Sequence, residues 1–512
     1  MSDPAASTAP AARGFFGQPA GISTLFFTEL WERFSYYGMR AILLLFLVAQ
    51  VQTGGMGLDD KTAAAIYGLY TAGVYIMSMP GGWLADRVLG AQRAILCGGT
   101  LIMIGHIILA FAPALPEFLI GLTVIVLGTG LLKPNVSAMV GAVQHGSETR
   151  RDAAFTLFYM AINIGATFGP IVVAWLAQRY GWHVGFGAAA VGMAFGLERF
   201  LRTRHRLGDV GRLPPGARPE TAGRNLAILW TMVAAVVLLV ALLWSGVIAV
   251  SPVVLQGRAI QVMALGVLAY FLWLLLFAKL SSPEKKGVFV LMVLVAASTL
   301  FWAGYEQAGS SLTLFAERFT DRFIGSYEFP AGWFQSVQAV FVLSCAPLLA
   351  FVWTRLDARS VRISVITKFA VGVAGMGLGF LVMVGGAKAV GSGHGASPMW
   401  LVMAYLFHVI GELFLSPVGM SATTRLVPQR FSGQGMGLWF TSLAMGNLFA
   451  SRLAGELGKD ASGADWSAYF LRMFGVGAAA AALLIVLLPL LRRWAAIDNT
   501  RDAAGAERNA SS

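Results

Sequence analysis

The sequence predicts an all-α polytopic membrane protein, and three observations carry that prediction. Of 512 residues, 57% are hydrophobic and 12% charged, and the mean hydropathy is +0.71, far from the composition of a soluble globular chain. Apolar runs of about 20 residues, the length of helix that crosses a bilayer, recur from end to end. Lys and Arg collect in alternate connections between those runs, which is how orientation in a membrane is set. The net charge of +12 is therefore read as loop charge facing one side of a lipid bilayer, and no nucleic-acid partner is expected.

Fourteen runs are expected to be helices, at 21–51, 62–85, 92–112, 116–143, 153–178, 183–199, 225–250, 259–280, 287–315, 331–353, 363–385, 398–425, 434–457 and 466–491. An N-terminus on the cytoplasmic side puts about 25 Lys and Arg in the connections of that side, against about seven opposite, so both termini are expected in the cytoplasm. Residues 1–21 form a cytoplasmic tail. They are no cleavable signal, because the apolar run behind them carries Glu29, Glu32 and Arg33. Residues 22–201 make an N-terminal six-helix bundle, 202–224 a basic cytoplasmic loop, 225–280 two inserted peripheral helices, 281–494 a C-terminal six-helix bundle and 495–512 a second tail. The inserted pair is apolar all round apart from Arg258 and is expected to face lipid. Cys97 and Cys345 lie in apolar runs and argue for neither a disulfide nor a metal site.

The first run is anomalous. It reads Glu29-Leu-Trp-Glu32-Arg33-Phe-Ser-Tyr36-Tyr37-Gly38-Met39-Arg40, although each charge at mid-depth costs at least ~2.5 to 3.5 kcal/mol on insertion. On a helix Glu29, Arg33, Tyr36 and Arg40 share one stripe, flanked by Glu32, and that stripe must face protein or water. Two carboxylates bracketing one guanidinium leave a local charge of minus one, which a proton cancels. A proton-binding cluster is expected; a static ion-pair network is the alternative.

Other polar groups interrupt the apolar runs. Lys133 in Gly128-Thr-Gly130-Leu-Leu-Lys133-Pro134-Asn135 sits too deep to reach the interface comfortably and belongs on a cavity wall. Asn163 lies in Phe158-Tyr159-Met-Ala-Ile-Asn163-Ile-Gly165, Glu306 is placed mid-helix in Phe301-Trp302-Ala-Gly-Tyr305-Glu306-Gln307, and Glu412 lies in Gly411-Glu412-Leu-Phe-Leu-Ser416-Pro417. Trp439, in Gly435-Met-Gly437-Leu-Trp439-Phe, suits packing as well as a site, while His106 and His408 are read as hydrogen-bonding neighbouring helices. The N-terminal half contributes Glu29, Glu32, Arg33, Arg40 and Lys133 and the C-terminal half Glu306 and Glu412, an electrical complementarity that suits a small zwitterion.

The pattern E-x-x-E-R-F-x-Y-Y-G at 29–38 resembles the first-helix signature of the proton-coupled oligopeptide transporter family of the major facilitator superfamily. F-Y-x-x-I-N-x-G at 158–165 resembles its second signature. Gly81-Gly-Trp-Leu-Ala-Asp86-Arg87-Val-Leu-Gly90-Ala-Gln-Arg93, with a degenerate counterpart at Thr354-Arg-Leu-Asp357-Ala-Arg359, resembles the major facilitator loop, and six plus two plus six helices resembles the family's bacterial branch.

The resemblance implies a major facilitator fold and a proton-driven symporter that imports di- and tripeptides by alternating access, without a cofactor. It implies a monomer in a bacterial inner membrane. Glu29, Glu32 and Arg33 are expected to couple the proton; Tyr36, Tyr37, Arg40, Tyr75, Lys133, Asn163, Glu412 and Trp439 to bind peptide; and Arg40 with Glu306, and Lys133 with Glu412, to gate. One departure stands on the helix at 331–353, where Ser336-Val-Gln338-Ala339 replaces the family's Asn-Pro pair, so a straighter helix and a smaller pocket are expected. Carriage of nitrate, a carboxylate or an amino acid is the alternative within transport. An enzyme is not expected, since no metal-ligand spacing or soluble domain occurs.

Overall fold

The computed structural model describes residues 14–144, 147–216, 219–245, 251–360, 363–390 and 395–495. Of the expected tails at 1–21 and 495–512, residues 1–13 and 496–512 lie outside this range.

The helices are α1 (Ala20–Val48), α2 (Asp60–Ile76), α3 (Ser78–Leu84), α4 (Ala91–Phe111), α5 (Leu115–Val143), α6 (Glu148–Tyr180), α7 (Trp182–Thr203), α8 (Pro219–Trp244), α9 (Pro252–Leu276), α10 (Ser282–Tyr305), α11 (Ser311–Phe319), α12 (Phe334–Ala358), α13 (Val365–Val390), α14 (Met399–Arg425), α15 (Ser432–Ala454) and α16 (Gly463–Ala495). They make fourteen crossings, because two expected helices are each in two pieces: α2 with α3, and α10 with α11. Eleven crossings qualify on length and apolarity alone among the described residues; α1, α2 with α3, and α15 are the other three. Several helices outrun their apolar cores, α6 starting at Glu148 and α16 ending at Ala495. Counting apolar residues stops at the first charge, whereas a helix continues through Arg150 or Arg492 into water.

The described chain falls into two compact units. The first holds residues up to Met39, Met77–Val173 and His183–Ile248; the second holds Arg40–Ile76, Ala174–Trp182 and the chain from Ala249. In the first, Ile22 and Leu25 of α1, Ile95 and Ile102 of α4, Leu132 and Val136 of α5, Phe158 of α6 and Met193 of α7 form one buried core. In the second, Phe271 and Leu274 of α9 pack with Val288, Leu291 and Val295 of α10.

The inserted helices differ from each other. α8 exposes Trp230 and Val237, as a lipid-facing helix should. α9 also keeps most of its surface exposed, Val262 and Leu265 included, but buries Gln256, Phe271 and Leu274 on one face. Gln256 Nε2 donates to Ser451 Oγ of α15 at 2.7 Å. The buried glutamine marks the face of α9 that meets protein, since lipid offers it no partner.

A short antiparallel hairpin, Phe323–Ile324 with Tyr327–Glu328, follows α11. Arg322 braces it, with Nη2 2.8 Å from Glu328 and 3.1 Å from Glu317. α12 runs unbroken through Gln338, whose Nε2 is buried without a hydrogen-bond partner, and carries its proline at Pro347.

Candidate functional site

In the first unit, α1 turns Glu29, Glu32 and Arg33 into a nearly dry interior, with exposures of 1%, 1% and 4%. Arg33 Nε donates to Glu29 Oε1 at 2.7 Å and lies 2.9 Å from Glu32 Oε2. One N–H cannot serve both carboxylates, and Glu29 Oε2 and Glu32 Oε2 remain without hydrogen bonds. A buried oxygen in that condition is costly as an anion and satisfied by a proton. The charge count differs from the expectation in one respect: Lys133 of α5 acts electrostatically on Glu32, adding a second positive charge to the cluster.

The second signature is explained by its glycine. A Cβ at Gly165 of α6 would overlap the Leu30 carbonyl and lie 2.7 Å from Arg33 Cβ, so only glycine lets α6 seat against α1 at the level of the charged cluster. Asn163 is 5% exposed, and its Nδ2 donates to the Tyr159 carbonyl of its own helix at 2.9 Å. Tyr36 is buried and Tyr37 half-buried, and the Arg33 guanidinium stands 5.8 Å from the Tyr36 ring centre.

Arg40 shares the stripe but not the cluster. In the second unit its Nη2 pairs with Glu306 Oε2 at 2.6 Å, and its Nε donates to Tyr67 Oη at 2.6 Å. Glu306 is not mid-helix, as expected, but begins the 3₁₀ turn Glu306–Gly309 that separates α10 from α11. Gly309 closes that turn directly over Tyr67: a Cβ there would overlap the Tyr67 hydroxyl and lie 2.9 Å from Arg40 Nε. The helix breaks where the chain must admit the Arg40–Tyr67–Glu306 contact.

Glu412 of α14 is half-buried and accepts from Tyr305 Oη at 2.5 Å. Trp439 is 3% exposed and packs where a side chain at Gly419 would otherwise sit. Tyr75 lies beside Ala72, Ala444 and Leu448, with Ile260 and Met263 of α9. His408 Nε2 is 3.1 Å from the Met376 carbonyl, whereas neither ring nitrogen of the buried His106 has a partner.

Sequence reasoning missed a second ion pair. Arg318 of α11 grips Asp60 of α2 through both terminal nitrogens, at 2.7 and 2.6 Å. Asp60 reads as an ordinary first-turn carboxylate and Arg318 as a helix-end charge, so no local signal joins them.

A fourteen-crossing helical protein that keeps buried, incompletely paired carboxylates beside Arg and Lys is a membrane carrier by class, since such groups are paid for only where ions or charged solutes pass. Residues 92–463 match the model of the POT family. The peptide transporter YePEPT of Yersinia enterocolitica is 38% identical over 496 residues, 94% of this chain and 96% of that one. A di-/tripeptide transporter of Lactococcus lactis subsp. cremoris is 37% identical over 439 residues, 83% of this chain and 87% of its own. A solved structure of a peptide transporter POT in complex with sulfate superposes with a TM-score of 0.87 at 39% identity, covering 94% of this chain and 97% of that one. This chain belongs to the POT family.

Proposed function

We propose that this protein is a proton-coupled symporter that carries di- and tripeptides into the cytoplasm of a bacterium by alternating access. Its relatives' names supply the substrate class. It acts as a monomer in the inner membrane with both termini inside, through six-helix bundles at 22–201 and 281–494, and draws on the proton gradient with no cofactor.

The observation that carries the coupling is the cluster of two carboxylates on one Arg33 N–H, with Lys133 acting on Glu32. The positive charge of Lys133 offsets part of the negative charge at Glu32. A peptide carboxylate that takes Lys133 withdraws that balance, and Glu32 then takes a proton to remain buried. Peptide and proton therefore load together. Asn163, Tyr36, Tyr37, Tyr75 and Trp439 shape the peptide site, Glu412 takes the peptide amine once Tyr305 releases it, and Arg40 with Glu306, and Lys133 with Glu412, form the gates.

Proteoliposomes loaded under an inward proton gradient test this. Wild type accumulates dialanine, and tripeptides compete while free alanine and nitrate do not. Glu32→Gln should abolish accumulation yet retain counterflow exchange. Accumulation by Glu32→Gln at the wild-type rate would remove the cluster from coupling, and competition by nitrate instead of tripeptide would favour an anion carrier.

A further inference from the structure

Away from the charged interior, the first unit contains a cavity of about 380 Å³ lined by Gln92, Arg93 and Leu96 of α4, Phe200 of α7, and Arg204, His205, Gly208 and Arg212 of the segment that follows. Three guanidiniums and an imidazole line it with no carboxylate. The acids nearest in sequence are engaged: Asp209 with Arg212 at 3.3 Å, and Glu198 with Arg202. Among the described residues Arg93, Arg204 and His205 make no ion pair, and all three are exposed at the cavity, where Arg212 keeps its contact with Asp209.

The basic segment is built, not loose. Gln92 Nε2 donates to the carbonyls of Gly208 and Val210 at 3.0 and 2.8 Å, and its backbone N–H donates to Gly211 at 2.9 Å. Leu207 is 2% exposed within the bundle core. Thr24 Oγ1 donates to Thr203 Oγ1 at 2.9 Å, and Arg206 Nη1 to Ser23 Oγ at 3.2 Å. These anchors hold Arg204, His205 and Arg212 around the opening before anything binds, so little ordering entropy opposes a ligand. Leu96 and Phe200 floor the cavity and pack into the core of the first unit.

We propose that this cavity binds a phosphate ester, the chemistry shared by the headgroup of an anionic phospholipid and a soluble glycerol phosphate. Convergent guanidiniums recognise phosphate oxygens by paired N–H donors, and basic pockets between helix ends on the positively charged side of a membrane protein suit anionic headgroups. None of the lining side chains belongs to the proposed transport path, so the inference stands or falls separately from peptide carriage.

The test measures binding of short-chain phosphatidylglycerol, phosphatidylcholine and glycerol 3-phosphate to the purified full chain in detergent. Phosphatidylglycerol should bind, phosphatidylcholine should not, and Arg204→Gln with Arg212→Gln should weaken phosphatidylglycerol at least tenfold while dialanine uptake in neutral-lipid vesicles persists. Competition by glycerol 3-phosphate would identify the phosphate as sufficient; its failure beside lipid binding would assign the site to a headgroup with its chain. Equal binding of phosphatidylcholine, or an unchanged affinity in the double variant, would overturn the proposal. The salt dependence of wild-type binding needs no variant: affinity should fall steeply as ionic strength rises, and a flat response would also overturn it.

Discussion

A single methyl group decides the Arg40 contact. At Gly309 a Cβ would collide with the Tyr67 hydroxyl that Arg40 holds, so Gly309→Ala should displace the tyrosine and loosen the Arg40–Glu306 pair. Transport should fall at least tenfold while the protein still elutes as a folded species; wild-type uptake would mean that the turn shifts to absorb the methyl. The pair itself separates two roles for Arg40. Breaking a buried ion pair from one side leaves an uncompensated charge and costs ~3 to 5 kcal/mol, so Arg40→Gln and Glu306→Gln should each stall the cycle. Arg40→Glu with Glu306→Arg restores the pair with its polarity reversed. If Arg40 also takes the peptide carboxylate, that double variant should recover the closed state, read by hydrogen exchange, but not peptide binding. Full recovery of uptake would make Arg40 a gate residue alone.

At the scale of the element, α9 is the informative case. Its Gln256–Ser451 bond and buried Phe271 and Leu274 tie an inserted helix to α15 and α10. Gln256→Leu removes the donor and leaves Ser451 its weaker contact with the Leu448 carbonyl at 3.1 Å. Interhelical bonds of this kind average ~0.6 kcal/mol in membranes, so a fall in melting temperature of about 1 °C, without change in peptide affinity, is expected in a thermal scan. A larger loss is expected from excising residues 225–280 and rejoining the ends, because a buried face is then stripped from α10 and α15. Substrate affinity in whatever folds should hold, and lost binding in a well-folded deletion would put α9 in the transport path. α6 carries the opposite constraint: Gly165→Leu would push it off α1 at Arg33 and should cost both folding yield and transport.

On the scale of the whole molecule, two ion pairs in the second unit, one buried and one partly buried, join the chain at 40–76 to residues more than 250 positions away: Arg40 with Glu306 and Asp60 with Arg318. In the proposed alternating-access cycle such contacts would break and re-form, each pair then biasing the balance between closed and open forms. Asp60→Asn removes half of the second latch. Amide exchange along α2 should then rise relative to wild type, and restoring a pair by Asp60→Arg with Arg318→Asp should slow it again. Unchanged exchange in Asp60→Asn would show that the Arg40 pair alone sets the closed population.

Fourteen crossings were legible in the sequence because crossing a bilayer demands about 20 apolar residues in a row, a strictly local requirement. The Glu29–Glu32–Arg33 arrangement was equally legible, since i, i+3 and i+4 neighbours meet on any helix. The tertiary structure alone decided which partner Arg40 takes, that Asp60 meets Arg318, that Lys133 acts on Glu32, and that α10 ends at Tyr305 instead of running on. Those outcomes depend on groups brought together across long stretches of chain, and helical periodicity says which face a residue occupies without saying what will be packed against it.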